Sequence, residues 1–189
     1  MRSEGFPAVA TSESRVLVLG TLPGPESLRQ RQYYAQPRNA FWRIIGELFG
    51  AGPDEPYARR LKRLKESRVA LWDVCASAYR EGALDAAIRP DSIVVNDFTR
   101  FLRAHPRVQL ICFNGQTAEK LYRQRVMSGM PESMQGIRRQ VLPSTSPAYA
   151  AMSYANKLKR WEIVRREAGR SVENPDDSAV SGGDMLSAP

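Results

Sequence analysis

A chain of 189 residues with 42% hydrophobic composition is long enough for one globular domain with a core of its own. Its formal net charge of +8 and pI of about 9.9 favour a polyanionic partner, although solubility alone accounts for many basic surfaces. Only Cys75 and Cys112 are present, both in apolar surroundings, which excludes a disulfide framework and a four-cysteine metal or iron–sulfur set; no apolar run nears the ~20 residues of a membrane span, Met1 to Ser14 lacks a signal-peptide core, and a cytoplasmic chain with no membrane partner is expected.

Residues 1–13 read as a flexible arm, residues 14–169 as the folded domain. Arg15 to Gly20 is the first of four runs with strand character, the others being Val69 to Val74, Gln109 to Asn114 and Arg139 to Leu142. The segments between them are long enough for helices. That alternation predicts a three-layer α/β/α domain around a central, mainly parallel four-stranded sheet.

The stretch from Gly20 to Trp42 leaves the first strand at its carboxyl end, where open α/β sheets place their ligand sites. Gly20 and Gly24 permit close backbone approach, and Pro23 and Pro25 stiffen the turn between them. The Gly-x-x-Pro-Gly pattern lacks the third glycine of a dinucleotide fingerprint and the Gly-Lys-Ser/Thr ending of a P-loop, so it is equally an ordinary tight turn. Tyr33 and Tyr34 must diverge, which lets one line the core while the other offers a face to a flat ring. Asn39 precedes Phe41, Trp42, Ile44, Ile45, Leu48 and Phe49, an amphipathic helical spacing, and is both a preferred N-cap and an amide near any bound anion.

Tyr57 to Ser67 reads as a helix with Leu61 and Leu64 on one side and basic residues around them, either a solvated face or a phosphate contact. The second strand ends in Leu71-Trp72-Asp73-Val74-Cys75. Asp73 there could activate water, with Asp85 as the other carboxylate, or simply order a loop. Asp85 to Asn96 is a polar loop before a helix around Phe98 to Ala104, and His105 lies in the turn that follows. Asn114 ends the third strand ahead of Gly115-Gln116-Thr117, either capping the next helix or presenting its amide. The fourth strand opens into Pro143-Ser144-Thr145-Ser146-Pro147-Ala148-Tyr149, a hydroxyl-rich turn before a last helix with Tyr154, Leu158, Trp161 and Val164 on one stripe. Residues 170–189 read as a disordered acidic tail, with one Arg against Glu173, Asp176, Asp177 and Asp184, so the rest is more basic than the whole chain.

The combination Gly20-x-x-Pro23-Gly24, Ser27-Leu28 and Gln32-Tyr33-Tyr34-Ala35-x-Pro37-Arg38-Asn39-x-Phe41-Trp42 resembles the uracil-DNA glycosylase superfamily. Within it, the hypoxanthine-DNA glycosylase branch, also called deoxyinosine DNA glycosylase, is the most similar. The mismatch-specific members share Ala-x-Pro-x-Asn-x-Phe-Trp but hold a water-positioning Asn where this chain has Leu22. The iron–sulfur members need four cysteines. The resemblance implies a monofunctional enzyme of base excision repair, with Asn39 catalytic and Tyr34 stacked on the extruded base. It also implies Asn114 as base reader, with Gly20, Leu22 and backbone groups of Phe113 or Gly115 at the base. Gly24, Ser27, Ser144, Thr145 and Ser146 would grip the DNA backbone, and Ala148 or Tyr149 would wedge into the duplex. A histidine often found in the last loop is Leu142 here, which rules out imidazole stabilisation of the leaving base at that position. No metal and no cofactor are implied, DNA is the partner, and a monomer associated with the nucleoid is expected. Uracil or a G-mismatched pyrimidine is the alternative substrate, and a catalytically silent DNA-binding module is the alternative of another class.

Overall fold

The computed structural model describes residues 2–170, and of the tail expected over 170–189 all but Arg170 lies outside the described residues. In chain order come β1 (Arg2–Glu4), β2 (Val16–Gly20), α1 (Pro25–Gln30), α2 (Phe41–Phe49), α3 (Tyr57–Glu66), β3 (Val69–Asp73), β4 (Cys75–Tyr79) and β5 (Val94–Val95). These are followed by α4 (Phe98–Ala104), β6 (Leu110–Asn114), α5 (Gln116–Arg125), α6 (Glu132–Gln135), β7 (Arg138–Leu142) and α7 (Tyr154–Gly169).

The four expected runs become one parallel sheet in the order β3-β2-β6-β7. β2 is central, and all five of its residues are buried because helices cover both sides. Alternate side chains therefore serve different layers. Val16 and Val18 pack with Phe41, Trp42, Ile44 and Ile45 of α2, Leu64 of α3, and Trp161 and Val164 of α7. Leu17 and Leu19 pack on the other side against Phe98, Phe101 and Leu102 of α4 and Ala118 and Tyr122 of α5. The register sets Gly20 beside Asp73 and Asn114 beside Leu142. The carboxyl ends of all four strands thus open on one edge, and the motif residues gather there.

A second, antiparallel sheet in the order β1-β4-β5 escaped the sequence reading. β4 is Cys-Ala-Ser-Ala-Tyr, whose small residues carry little alternation, and β1 lies in the segment expected to be a flexible arm. That segment is instead strapped to the domain: Arg2, Ser3 and Glu4 pair with Tyr79, Ala78 and Ser77, and Val9 and Leu71 exchange backbone hydrogen bonds of 2.9 and 2.8 Å. The reason is the free edge of β3, which would expose unpaired backbone groups without this cover. Phe6 completes the seal, its ring edge-on to Tyr33 at 5.2 Å and its carbonyl accepting from the Trp72 indole.

Two local expectations shift. α1 forms inside the stretch read as loop, started by Pro25 in its first turn and ended by Arg31 in the left-handed region. The cap position of α2 is Ala40, not Asn39, yet the Asn39 Oδ1 accepts from the Phe41 N–H at 3.0 Å, supplying from one residue earlier the acceptor that Ala40 lacks. His105 stacks on Phe101 at 4.2 Å and contacts the Phe101 carbonyl through Nδ1, a structural role. Among the described residues no helix is long and apolar enough to cross a membrane.

Trp161 joins the last helix to the loop after β7. It is fully buried, edge-on to Phe41, and its indole N–H donates to the Pro143 carbonyl at 3.0 Å. Trp161→Ala is expected to destabilise the domain by about 3–5 kcal/mol in urea unfolding. Trp161→Phe, which keeps most of the packing but strands that carbonyl, should cost about 1–3 kcal/mol.

Candidate active site

A cavity of about 850 Å³ opens where the four strands end. Its inner wall is the Gly20–Ser27 segment. The Gly20 and Thr21 carbonyls accept from the Val74 and Cys75 N–H groups, and the buried Arg80 guanidinium donates to the carbonyls of Leu22 and Pro23. Leu22 lines the cavity but sinks its side chain into a small core with Cys75, Ala78 and Ile88. Gly24 stands open at the rim.

The two tyrosines diverge as their adjacency requires. Tyr33 turns into the core, where its hydroxyl donates to the Phe6 and Pro7 carbonyls and its own carbonyl accepts from the Trp42 indole at 2.7 Å. Tyr34 turns into the cavity with φ 53°, a left-handed conformation costly for an aromatic residue and maintained only by its surroundings. Ser27 supplies part of that hold. Its hydroxyl accepts from the Ala35 N–H at 3.2 Å, and at 6% exposure it ties α1 to the turn instead of reaching for a phosphate. One face of the Tyr34 ring stacks on Phe41 at 3.9 Å and 19°.

Asn39 and Asn114 both line the cavity, and neither amide is loose. The Asn39 Oδ1 accepts from the Phe41 N–H, leaving one lone pair and both amide N–H bonds outside this contact. Asn114 does not cap α5: that position is Gly115, at φ 100° and so close to Ser144 that a Cβ would sit 3.1 Å from the Ser144 Cβ. The Asn114 amide instead grips Thr145 at two points, Oδ1 accepting from its N–H and Nδ2 donating to its hydroxyl oxygen, each at 2.8 Å. One N–H and one lone pair of Asn114 remain. Thr145 is 1% exposed, so the expectation that it grips a phosphate is corrected: burial turns it into the anchor of Asn114.

For Phe113 the expectation rests on its backbone groups. Its side chain is fully buried in the opposite layer against Tyr122, because strand alternation sends it away from the edge where Asn114 opens. Ser144 and Ser146 remain half-buried beside the cavity, their hydroxyls accepting from the backbone N–H groups of Ser146 and Ala148. Ala148 and Tyr149 are exposed at the rim, and the Lys157 ammonium, 2.7 Å from the Tyr149 carbonyl and 5.0 Å from its ring centre, pins the loop that carries them.

The floor holds a group of residues that the sequence scarcely announced. Asp73 is 4% exposed, and its Oδ2 has no hydrogen-bond partner. Burial, reinforced by the neighbouring Asp85 and opposed by Arg80, pushes its carboxyl up to about 8. It is therefore mostly protonated at neutral pH, which removes the charge a water-activating base would need. Arg80 pairs with Asp85 at 3.7 Å, and burial raises the Asp85 carboxyl too, against the Thr21 hydrogen bond and the Arg80 charge. The Tyr34 hydroxyl also lacks a partner, and burial, with Asp73 nearby, raises it far above the usual phenol range. Arg80 could not have been singled out from sequence, since nothing around it marks a buried arginine. The outer wall runs from Ala83 to Ala86, where the expected polar loop from Asp85 begins.

Comparison with known proteins gives a consistent result. The family model described as the uracil DNA glycosylase superfamily matches residues 6–166. A protein named hypoxanthine DNA glycosylase from Methanosarcina acetivorans is 40% identical over 167 residues, 88% of this chain and 99% of that one. Another of that name from Methanosarcina barkeri is 38% identical over 117 residues, 61% of this chain and 73% of its own length. A solution NMR structure of a protein from Methanosarcina acetivorans, titled a putative uracil DNA glycosylase, superposes with a TM-score of 0.74 at 37% identity, covering 90% of this chain and all of that one.

The Asp73 carboxyl makes stability pH-dependent in a defined direction. Its folded value lies above the ordinary 3.8, so between about 4 and about 8 the folded state binds more protons and stability falls as pH rises, levelling off beyond. Asp73→Asn removes that slope. Its Tm should exceed that of the wild type by at least ~3 °C at pH 7.5, with the gain shrinking towards pH 4.5 in paired calorimetric scans.

Proposed function

The chain belongs to the uracil DNA glycosylase superfamily, and from that premise we propose that it is a DNA glycosylase hydrolysing the N-glycosidic bond of a deaminated base, hypoxanthine, extruded from DNA into the cavity. The observation that carries this reading is the convergence of Tyr34, Asn39 and Asn114 on one cavity although they come from separate motifs. Extrusion is needed because no enzyme group reaches the bond inside the stack.

The ring of Tyr34 has Phe41 behind it and its other face for the base, a stacking contact worth about 1–3 kcal/mol. Asn114, fixed by Thr145, turns its remaining N–H to the base edge, where a lactam presents a carbonyl oxygen with two lone pairs. As the C1′–N bond lengthens, its electron pair passes to the base and the sugar becomes oxocarbenium-like. Asn39 holds the attacking water through its free lone pair. An amide is a weak base, but so electrophilic a carbon needs a placed water more than a deprotonated one. The water's oxygen bonds to C1′, and its surplus proton balances the charge on the departed base through solvent. Among the described residues no lysine lines the cavity, which favours water over an amine as nucleophile and hence a monofunctional enzyme.

Gly24, Ser144 and Ser146 at the rim are the backbone contacts in this reading, and Tyr149, braced by Lys157, is the wedge. In this reading the enzyme acts as a monomer on the DNA of the cytoplasmic nucleoid. Uracil shares the lactam edge, and the buried Leu22 gives no polar contact by which to reject it.

Alkali-revealed cleavage of end-labelled duplexes carrying one hypoxanthine or one uracil tests the reading. The wild type should cut at hypoxanthine, and Asn39→Ala should lose at least ~10²-fold in rate while still binding DNA. Tight binding by the wild type with neither duplex cut would leave a silent DNA-binding module as the better account.

A further inference from the structure

Two polar atoms at the cavity floor, the Asp73 Oδ2 and the Tyr34 hydroxyl, are buried without a partner. Buried polar groups left unpaired cost stability, and a binding site is where that cost is recovered when a ligand supplies the missing partner. The floor is also shaped to keep them there. A Cβ on Gly20 would come within 2.4 Å of the Asp73 Oδ1 and 2.8 Å of the Tyr34 hydroxyl, so only glycine lets both groups meet at the end of β2.

The nearest cation is already committed. Arg80 donates to the Leu22 and Pro23 carbonyls and pairs with Asp85, leaving Asp73 without a salt-bridge partner. A buried carboxyl in that position is held as the acid. The phenols and the thiol facing it stay in one state between pH 6 and 9: burial drives the Tyr33 and Tyr34 phenols far above this range and the Cys75 thiol up to about 12. Arg80 keeps its charge. Asp85, whose carboxyl burial raises against the Thr21 hydrogen bond and the Arg80 charge, is the one other carboxyl beside it.

Building on the glycosylase reading, we propose that Asp73 pairs with the lactam edge of the extruded base as a carboxylic acid, its O–H donating to the lactam carbonyl oxygen and its C=O accepting from the adjacent N–H. Two antiparallel hydrogen bonds close a ring that only the acid form can make, since a carboxylate has no proton to give. When the C1′–N bond breaks, the electron pair moves onto the base and the lactam oxygen gains negative charge. The Asp73 O–H bond to it then strengthens, and the proton stays on Asp73, so nothing beyond water is consumed. Ionised Asp73 would instead oppose the departing anion. The acid also matches the edge of adenine, which has an N–H beside a ring nitrogen acceptor. Its contribution is therefore to the departure of the base, not to the exclusion of adenine.

Single-turnover excision with enzyme in excess, from pH 6 to 9.5, separates the outcomes. Hypoxanthine is compared with unsubstituted purine, which lacks the carbonyl, for the wild type, Asp73→Asn and Asp73→Ala. Asn retains a donor and an acceptor at every pH. The wild-type rate relative to Asp73→Asn should therefore fall about tenfold per pH unit above about pH 8. Ionisation of the substrate's own N–H affects both enzymes alike and cancels in that ratio. Asp73→Ala should lose at least ~10²-fold on hypoxanthine and much less on purine, with circular dichroism and DNA binding unchanged. A constant ratio of wild type to Asp73→Asn across the pH range, or equal losses of Asp73→Ala on both bases, overturns the assignment while leaving the glycosylase reading intact. Failure of the wild type to excise hypoxanthine or uracil at pH 6.5 overturns both.

Discussion

Thr145 is the node on which the cavity depends. Its carbonyl accepts from the Ala40 N–H at 3.0 Å, joining the loop after β7 to the start of α2, and its N–H and hydroxyl are held by the Asn114 amide at the end of β6. Three segments more than 100 residues apart at their extremes are thereby locked by the side chain and backbone of one buried residue. The lock is worth more than its few hydrogen bonds. Positions of groups that must meet an extruded nucleotide to within a fraction of an ångström are set by contacts made before the substrate arrives. Asn114 is oriented by Thr145, Asn39 by Phe41, and Phe41 in turn supports Tyr34 from behind.

The floor of the cavity is arranged differently. The walls are satisfied, whereas the floor is not: the Asp85 carboxyl and two backbone carbonyls share the Arg80 guanidinium, and the Asp73 Oδ2 is left without a partner. Such an arrangement is unfavourable for the free protein, and the left-handed backbone at Tyr34 adds to it. Both features face the cavity, and Tyr34 leans on the apolar layer only through Phe41 behind its ring. Stability is supplied by those layers, in which Trp161, Phe41, Phe98 and Phe113 are almost wholly enclosed.

How much of this could be read from sequence follows from the range of the interactions concerned. A parallel strand covered on both sides must be apolar at every position, so Val16 to Leu19 and Leu110 to Phe113 announced themselves as uninterrupted runs, and the helices over them by spacing. The β1-β4-β5 sheet gave no such signal because Cys75 to Tyr79 is built from small residues and Arg2 to Glu4 is polar. At the site, residue types at motif positions identified Tyr34, Asn39 and Asn114. What each contacts could not be identified, because Asn114 and Thr145 are 31 residues apart and their pairing depends on the sheet register. Side-chain direction decided the remaining cases: Phe113 lies one residue from Asn114 and therefore on the other face.

Two positions occupied by polar groups in other branches of the superfamily are apolar here, and the structure shows that both belong to cores. Leu22 packs with Cys75, Ala78 and Ile88, and Leu142 joins the layer of Phe41 and Trp161. Restoring an amide or an imidazole at either place would put a polar group into apolar surroundings, so neither could be regained without rebuilding its neighbours. In the proposed reading, water placement and leaving-base stabilisation come from groups that already face the cavity. Asn39 faces it from the start of α2, Asn114 from the end of β6 and Asp73 from the end of β3. The sheet fixes two of the three through the ends of its strands, and the loop before α2 fixes the third. In the proposed reading two of the three groups are thus carried by strand ends, which the core holds more rigidly than a loop.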